Sequence, residues 1–254
     1  MPTTFSLVPL VVGRFTEFPL RHFLHGWPTA ETVEAPCLAW LIQGDDGSLI
    51  LVDSGPGDPS ARSAQYHARF TRTANQRIDH ALQGIDVDPV LLTTVILTHL
   101  HYDHCADLDR LPNARIYVQK SELEYAVNPR QEHASAYDCG HVGIVPQWMR
   151  VFDRIQVVDG AHKLNHGVEL LHTPGHSPGS MSVVVTTAQG RLAIAGDLIS
   201  RVENWRGDGI NKPIPPGFFT DLGACHESIV KLAVAADAVL AAHDDRTNPC
   251  PVSA

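Results

Sequence analysis

The stretch THLHYDHCAD, residues 98–107, places three histidines and an aspartate within six consecutive positions. It directly follows the apolar run at residues 95–97, which has the composition of a buried strand. At the end of a strand the chain can turn, so alternate side chains can converge on one cation while the adjacent Asp-His pair faces a second. The stretch therefore predicts a metal site whose ligands include His99, His101, Asp103 and His104.

Three more residues of ligand type each follow an apolar run of strand-like length. They are His176 after residues 168–171, Asp197 after residues 192–195, and His243 after residues 239–242. A single tetrahedral zinc ion needs only three or four ligands. The combined set is too large for one ion, and it indicates a centre of two divalent metal ions.

Length and charge restrict the class of protein. The chain has 254 residues, of which 44% are hydrophobic, and this predicts one domain spanning residues 1–254. A net charge of −9 supplies no basic field for a phosphate backbone, which disfavours nucleic acid as a partner. All apolar runs fall short of the roughly 18 residues of a membrane span, and residues 1–15 lack the cationic leader of a signal peptide. We therefore expect a cytoplasmic protein with a small-molecule substrate and no membrane partner; the oligomeric state stays open, with a homodimer as one alternative.

The cysteines do not form a recognisable metal or disulfide pattern. All five are widely scattered, with no C-x-x-C pair, so each is interpreted as a small buried hydrophobe or a surface thiol. The predicted ligands are then imidazoles and carboxylates. Such a set suits zinc, which is the expected metal, and it also suits iron or manganese.

The hydrophobic pattern predicts an α/β fold. Apolar runs rich in β-branched residues predict strands at residues 7–12, 38–42, 49–52, 94–97, 116–118, 168–171, 181–185, 192–195 and 238–241. Helix-like segments occupy residues 58–82, 89–92, 121–127 and 221–236. Strands with helices between and after them indicate layered sheets with outer helices. Two stretches rich in Gly and Pro, residues 128–146 and 204–219, are predicted to be loops that shape a pocket.

With these motifs in place, the chain resembles the metallo-β-lactamase superfamily. THLHYDH matches the family's H-x-H-x-D-H motif, and LILVDSGPG at residues 49–57 is similar to its early strand ending in Asp-x-Gly. The resemblance implies a four-layer αβ/βα sandwich of two mixed β-sheets with outer helices. It also implies one metal held by His99, His101 and His176, a second held by Asp103, His104 and His243, and Asp197 as the bridge between them.

The resemblance further implies hydrolysis by a hydroxide that bridges the two metals and attacks a substrate carbonyl. Asp103 is the candidate catalytic residue, as a shuttle of the proton to the leaving group. Asp53 at a strand end and His172, four residues before His176, are expected to orient a ligand or to hold their own turns rather than bind metal.

Spacing and length are most similar to the branch that includes N-acyl-homoserine lactonases, which implies a lactone or related ester substrate and a role in quorum quenching. Those lactonases often carry a tyrosine three residues after the bridging aspartate, where this chain has a serine. The candidates for substrate contact are therefore Ser200 itself, or Tyr102, Tyr137 or His141 as replacement donors. Candidates for an apolar acyl-binding surface are Phe18, Phe23, Trp27 and Trp205.

Other activities stay open. A glyoxalase-II-like thioesterase would share the whole ligand set, although its usual paired glycines are replaced here by Cys105-Ala106. A phosphodiesterase or nuclease is disfavoured by the acidic charge balance, and a metal-binding protein without turnover is the remaining alternative. Native β-lactamase activity is disfavoured because Asp197 stands where thiolate-using β-lactamases have cysteine.

Overall fold

The computed structural model describes residues 3–251, and that range forms thirteen strands and five α-helices. The strands are β1 (Phe5–Pro19), β2 (Thr32–Gly44), β3 (Leu49–Val52), β4 (Phe70–Thr71), β5 (Thr94–Ile96), β6 (Arg115–Gln119), β7 (Ile155–Val158), β8 (His162–Lys163), β9 (Val168–His172), β10 (Met181–Thr187), β11 (Gly190–Ile194), β12 (Ala238–Leu240) and β13 (Cys250–Pro251). The helices are α1 (Leu20–Phe23), α2 (Ile78–Gln83), α3 (Lys120–Val127), α4 (Val202–Arg206) and α5 (Leu222–Ala235).

The strands form two mixed sheets that meet at one point. The first sheet has the order β1-β2-β3-β5-β6-β7, with the short β4 paired to β1. The second has the order β13-β12-β11-β10-β9-β8. Antiparallel and parallel pairs occur in both sheets. Hydrogen bonding passes from one sheet to the other at a single registered pair, Phe5 of β1 and Thr187 of β10.

Three hydrophobic clusters show how the layers pack. One cluster lies between the sheets and joins residues such as Val52 of the first sheet to Val183 of the second. A second cluster packs the outer face of the first sheet, including Leu51, against helix residues such as Leu82. The third packs α5 against the outer face of the second sheet. Because side chains alternate along a strand, each sheet has helices on one face and its partner sheet on the other, which confirms the four-layer αβ/βα sandwich.

Strand ends deliver the candidate site residues to one edge of the sandwich. β3 and β5 run parallel and lead directly into Asp53 and residues 97–104, respectively. In the second sheet β11 and β12 are parallel and lead into Asp197 and His243. Parallel strands end at the same edge of a sheet, so residues far apart in sequence come together there.

The structure differs most from the predicted secondary structure at residues 58–82, where we predicted a helix. The structure instead has 3-10 turns at Arg62–Tyr66 and Ala74–Gln76, the short strand β4, and a helix only at α2. Pairing of β4 with β1 and the ion pair between Arg72 and Asp107 hold this segment in an extended course. Residues 66–69 of the segment line the cleft, and only its α2 part, with Ile78 and Leu82, packs a helical face into the core.

The other predicted helices are closer to the helices that the structure shows. Residues 121–127 and 221–236 form α3 and α5, whereas residues 89–92 form a 3-10 turn, Pro89–Leu91. The predicted loop at residues 128–146 contains 3-10 turns at Gln131–Tyr137, and the one at residues 204–219 begins inside α4. Across the described residues, none of the helices has the length and apolar character that crossing a bilayer would need.

Candidate metal centre

Three imidazoles form the first ligand cluster. His99 Nε2 lies 2.9 Å from His101 Nδ1, and His176 Nε2 lies 3.2 Å and 3.1 Å from those two nitrogens. All three side chains are at least 95% buried. Three nitrogens that face one point at this spacing match three corners of a tetrahedral site.

The second cluster contains two imidazoles and two carboxylates. His243 Nε2 lies 3.0 Å from Asp197 Oδ1 and 3.5 Å from Asp103 Oδ2. His104 Nε2 lies 3.3 Å from the same Asp197 oxygen and 3.4 Å from Asp103 Oδ2. The other oxygen of Asp197, Oδ2, is 3.7 Å from His176 Nε2 in the first cluster. Asp197 therefore faces both clusters, one carboxylate oxygen toward each.

The buried polar atoms of the second cluster fit a divalent cation. His104 Nε2, His243 Nε2 and Asp197 Oδ1 are buried, and within the described part of the chain their contacts at 3.3 Å and 3.0 Å lack hydrogen-bond geometry. Unpaired buried polar atoms are costly, so a folded protein usually satisfies them. A cation among these atoms would satisfy all three at once, and nitrogen and carboxylate donors are those that zinc, iron and manganese accept.

Asp53 and Thr98 contact one histidine of each cluster through its Nδ1 atom, on the side of the ring away from the cluster. The Nδ1 atom of His104 is 2.9 Å from Asp53 Oδ2, and the Asp53 carboxylate accepts hydrogen bonds from the amide and hydroxyl of Thr98 at 2.7 Å and 2.8 Å. The Thr98 hydroxyl is also 3.0 Å from His99 Nδ1. A carboxylate on the far nitrogen of an imidazole fixes the ring and makes it a better donor.

Backbone carbonyls orient two other imidazoles. The Nδ1 atom of His176 donates to the carbonyl of Phe218 at 2.8 Å, and that of His243 to the carbonyl of Pro36 at 2.9 Å. These bonds set the tautomer in which Nε2 is free to face the cluster.

Glu122, which the sequence reading missed, links the two loops that carry the first cluster. Its Oε1 accepts from the amide of Leu100 and the hydroxyl of Tyr137, both at 2.9 Å. Its Oε2 accepts from the hydroxyl of Ser177 at 2.5 Å and the amide of Gly179 at 3.1 Å. Burial raises the pKa of this carboxyl, and the four hydrogen bonds oppose that shift. The carboxylate thus holds the His99–His101 segment against the loop after His176.

The electrostatics of the two clusters differ. Burial lowers the pKa of His99, His101 and His176, so their imidazoles are neutral donors. Burial would also lower the pKa of His104 and His243, but the carboxylates of Asp103 and Asp197 outweigh it and raise both. In return, the two histidines hold the pKa values of these carboxyls below the ordinary range despite burial.

A cleft of about 540 Å³ opens over the clusters. His101, Asp103, His176 and Asp197 reach its floor. Its walls are largely aromatic and apolar, and they include Phe15, Phe18, Phe23, Phe218, Ala68 and Ala136. Both predicted loops contribute to these walls, the first through residues 132, 135 and 136 and the second through residue 218. Of the four expected apolar residues, Phe18 and Phe23 line the cleft, whereas Trp27 and Trp205 do not.

Tyr102 is the one substrate-contact candidate that lines the cleft. Its ring stacks on His67 with centroids 3.6 Å apart, and the backbone of Ala68 hydrogen bonds to its hydroxyl. His67 is in turn held by Asp138, at 2.7 Å. The side chain between two predicted ligands thus belongs to the wall of the cleft.

The other three candidates lie elsewhere, and this corrects the expectation that they meet the substrate. Tyr137 is fully buried, and its hydroxyl donates to Glu122. Ser200 is 2% exposed and its hydroxyl donates to the carbonyl of Asp197 at 3.3 Å, so it braces the turn that carries Asp197. His141 stacks on Tyr66, which lines the cleft, and does not line the cleft itself.

His172 also lies outside the clusters. Its Nε2 donates to the carbonyl of Pro178 at 3.1 Å, and its own carbonyl accepts from the Lys231 ammonium at 2.7 Å. The side chain therefore closes the turn, residues 172–178, that contains His176. That geometry agrees with the structural interpretation of His172.

Comparisons with known proteins give one family match and several lactonase relatives. The sequence profile of the metallo-beta-lactamase superfamily matches residues 32–247. An N-acyl homoserine lactonase from a Bacillus species is 28% identical over 189 residues, covering 70% of each chain. The lactonase AttM of Rhizobium radiobacter is 28% identical over 172 residues, which cover 64% of this chain and 62% of AttM.

Solved structures are similar along nearly the whole chain. A variant of B. thuringiensis AiiA with N-decanoyl-L-homoserine at its active site has a TM-score of 0.75 at 22% identity, covering 96% of this chain and 95% of that one. The dizinc quorum-quenching lactonase AidC has a TM-score of 0.70 at 18% identity, covering 97% and 92%. At such identities the likeness concerns the fold.

Proposed function

The chain belongs to the metallo-beta-lactamase superfamily, and from that membership we propose that it is a dinuclear metal-dependent hydrolase of lactones, with N-acyl-homoserine lactones as the substrate class. One observation carries the proposal: two buried ligand clusters share Asp197 at the floor of an aromatic cleft. The named lactonase relatives support the choice of substrate.

In this proposal His99, His101 and His176 hold one cation, Asp103, His104 and His243 hold the other, and Asp197 bridges them. Zinc is the proposed metal, with iron and manganese as alternatives. When bound, such a pair of ions supplies an activated water near neutral pH and an electrophile that polarises a carbonyl. The partners behind the ligands, Asp53 and Glu122 above all, keep these side chains aimed at their clusters.

Asp103 is the proposed proton carrier. It is the cleft-facing carboxylate on the His99–His104 segment, and its side chain retains about a tenth of its exposure. Opening a lactone requires a proton on the departing alkoxide, and a carboxyl within hydrogen-bond reach of that oxygen can deliver it. We propose that Asp103 accepts a proton from the attacking water and passes it to this oxygen.

The cleft walls suit an acyl chain. Phe15, Phe18, Phe23 and Phe218 present apolar surface next to the ligands that reach the floor. Burial of a chain against such rings contributes about 0.8 kcal/mol per methylene. Tyr102, which lines the same cleft, is the proposed hydroxyl for the polar end of the substrate in the absence of a tyrosine at position 200.

The test combines elemental analysis of the purified protein with a hydrolysis panel of an N-acyl-homoserine lactone, a simple ester, a thioester and a phosphodiester. We expect two divalent ions per chain and lactone turnover that chelation removes and metal restores. Thioester turnover alone would replace this proposal with a glyoxalase-II-like activity, and phosphodiester turnover alone with a phosphodiesterase. Full metal loading without turnover of any substrate would favour a metal-binding protein without catalysis.

A further inference from the structure

Cys37 lies at the second ligand cluster although the sequence pattern gave it no metal role. It is fully buried on β2, paired with Gly13 of β1. The preceding residue, Pro36, supplies the carbonyl that accepts from His243 Nδ1. The same two residues of β2 therefore orient His243 and place a sulfur beside it.

The Cys37 sulfur, a carboxylate oxygen of Asp103 and a ring nitrogen of His243 all lie within 4.8 Å of one another. A sulfur and a nitrogen donor on one tetrahedral zinc ion lie about 3.6 Å apart. The three donors can thus meet on one cation after a closure of about an ångström. The Nε2 atom of His243 is buried and makes no hydrogen bond of regular geometry among the described residues, although Asp197 Oδ1 is 3.0 Å away, and this indicates a ligand at this point.

Two other cysteines show what an ordinary buried or half-buried thiol does in this fold. The Cys105 thiol donates to the carbonyl of Leu100 at 3.6 Å, and the Cys139 thiol to that of Ala126 at 3.2 Å. Both thiols are directed at backbone oxygens. The thiol of Cys37 is instead near an imidazole and a carboxylate, the ligand types that accompany cysteine in mixed zinc sites.

We propose that Cys37 is an additional ligand of the cation held by Asp103 and His243, which makes the second position a mixed nitrogen, oxygen and sulfur site. Ligation replaces the S–H bond with a sulfur–metal bond, and the proton passes to solvent. A thiolate favours zinc or cadmium over manganese, because thiolate ligands select softer ions. The inference rests on the proposed two-metal centre.

The test is spectroscopic. Metal-depleted full-length protein is reloaded with two equivalents of Co²⁺, and the near-ultraviolet spectrum is examined for the charge-transfer band that a thiolate–cobalt bond produces. We expect the band in the wild-type protein and its loss in Cys37→Val, which keeps a similar volume and suits a strand. The matched control is Cys105→Ser, which removes a neighbouring buried sulfur and retains a donor for Leu100; it should keep the band.

A second measurement concerns metal preference. In competition between Cd²⁺ and Mn²⁺, we expect the preference for Cd²⁺ at the second position to fall on the order of ten- to a hundredfold in Cys37→Val, the range typical of a perturbed metal site. The ¹¹³Cd resonance of the wild-type protein should lie in the range of sulfur-ligated cadmium, which decides the question even if the variant fails to fold.

The outcomes separate this inference from the proposed function. Two bound ions and lactone turnover, but no charge-transfer band and a ¹¹³Cd shift typical of nitrogen and oxygen ligands, would overturn the role of Cys37 alone. A band that persists in folded Cys37→Val would do the same. Uptake of a single ion with lactone turnover intact would overturn the two-metal centre, and this inference with it.

Discussion

The histidines of the two ligand clusters have pKa values shifted in opposite directions. The first consists of imidazoles alone, which burial keeps neutral. In the second, the carboxylates of Asp103 and Asp197 raise the pKa values of His104 and His243, so that protons balance the negative charge. A cation entering the first cluster meets nitrogens ready to bind, whereas a cation entering the second must displace protons. Metal binding at the second cluster should therefore depend more strongly on pH than metal binding at the first.

The largest effect is expected from Asp197→Asn, because this residue faces both clusters. The amide can supply one neutral oxygen but not two anionic ones, so both clusters lose a ligand of full charge. We expect lactone turnover to fall more than about a hundredfold, beyond the usual effect of losing an outer partner. Elemental analysis should show a loss that is not confined to one ion. Two tightly held ions in this variant would contradict the bridging role.

Asp53→Asn should affect the second cluster more than the first, because Asp53 contacts His104 directly and His99 only through Thr98. The amide keeps the size and the left-handed conformation of Asp53 (φ 60°) but loses the charge behind His104. We expect metal affinity at the second position to fall about ten- to a hundredfold, measured by competition with a chelator. Asp86→Asn is the matched control, since Asp86 is exposed and has φ 59°. Equal weakening of both ions would mean that the clusters are not independent.

Glu122→Gln is the corresponding test for the first cluster. Glutamine keeps one acceptor oxygen and replaces the other with an NH2 group. It can therefore accept two of the four hydrogen bonds that Glu122 accepts, and its NH2 group faces the other two donors. We expect weaker metal binding by about ten- to a hundredfold at the first position, by the same competition assay. Glu124→Gln, on the exposed side of α3, is the control. Unchanged affinity would show that the two loops hold their positions without this carboxylate.

Tyr137→Phe should be a smaller perturbation. It removes one of the donors to Glu122 and keeps the ring that packs on His101, with centroids 4.6 Å apart. We expect the free energy of unfolding to fall by about 1–3 kcal/mol, measured by urea denaturation, with KM for lactone unchanged. A raised KM with stability intact would instead place the Tyr137 hydroxyl on the substrate.

The smallest effect is a difference in titration between the clusters of metal-free protein. His99, His101 and His176 have lowered pKa values, so their contribution to stability is lost as pH falls below about 6.5, the unfolded value. The raised pKa values of His104 and His243 contribute stability that is full below that pH and is lost as pH rises through the folded values. Nitrogen-15 NMR should show the imidazoles of the first three histidines taking up protons at lower pH than those of the last two. A common titration of all five would remove the distinction.

The sequence predicted the location of residues that directly follow a strand. That Asp197 and His243 lie close together could be predicted because each follows a short apolar strand, and the edge of a sheet brings such residues together whatever lies between them. Asp53 was expected to support a ligand for the same reason, and it does contact His104. The fold follows from the same pattern of buried strands and outer helices.

The sequence could not predict where side chains point within turns and loops. Tyr137 and Ser200 were expected at the substrate, yet the direction of each hydroxyl depends on a distant partner or on the local turn. Glu122 gave no signal because a carboxylate in the first turn of a helix usually faces solvent. Cys37 had no partner of its own kind in sequence, and only the packing of β2 brings it to Asp103 and His243.

The two sheets share the backbone pair Phe5–Thr187 and pack on the hydrophobic cluster between them, and the proposed metal ligands come from both sheets. His99, His101, Asp103 and His104 extend from the first sheet, whereas His176, Asp197 and His243 extend from the second. Each cation would then have ligands from both sheets, and its binding free energy would stabilise the packing of one sheet against the other. At a free metal concentration of a hundred times Kd, one such ion adds about 2.7 kcal/mol to the resistance against unfolding. Loss of metal would therefore lower the free energy of unfolding and weaken the contact between the two sheets at the floor of the cleft.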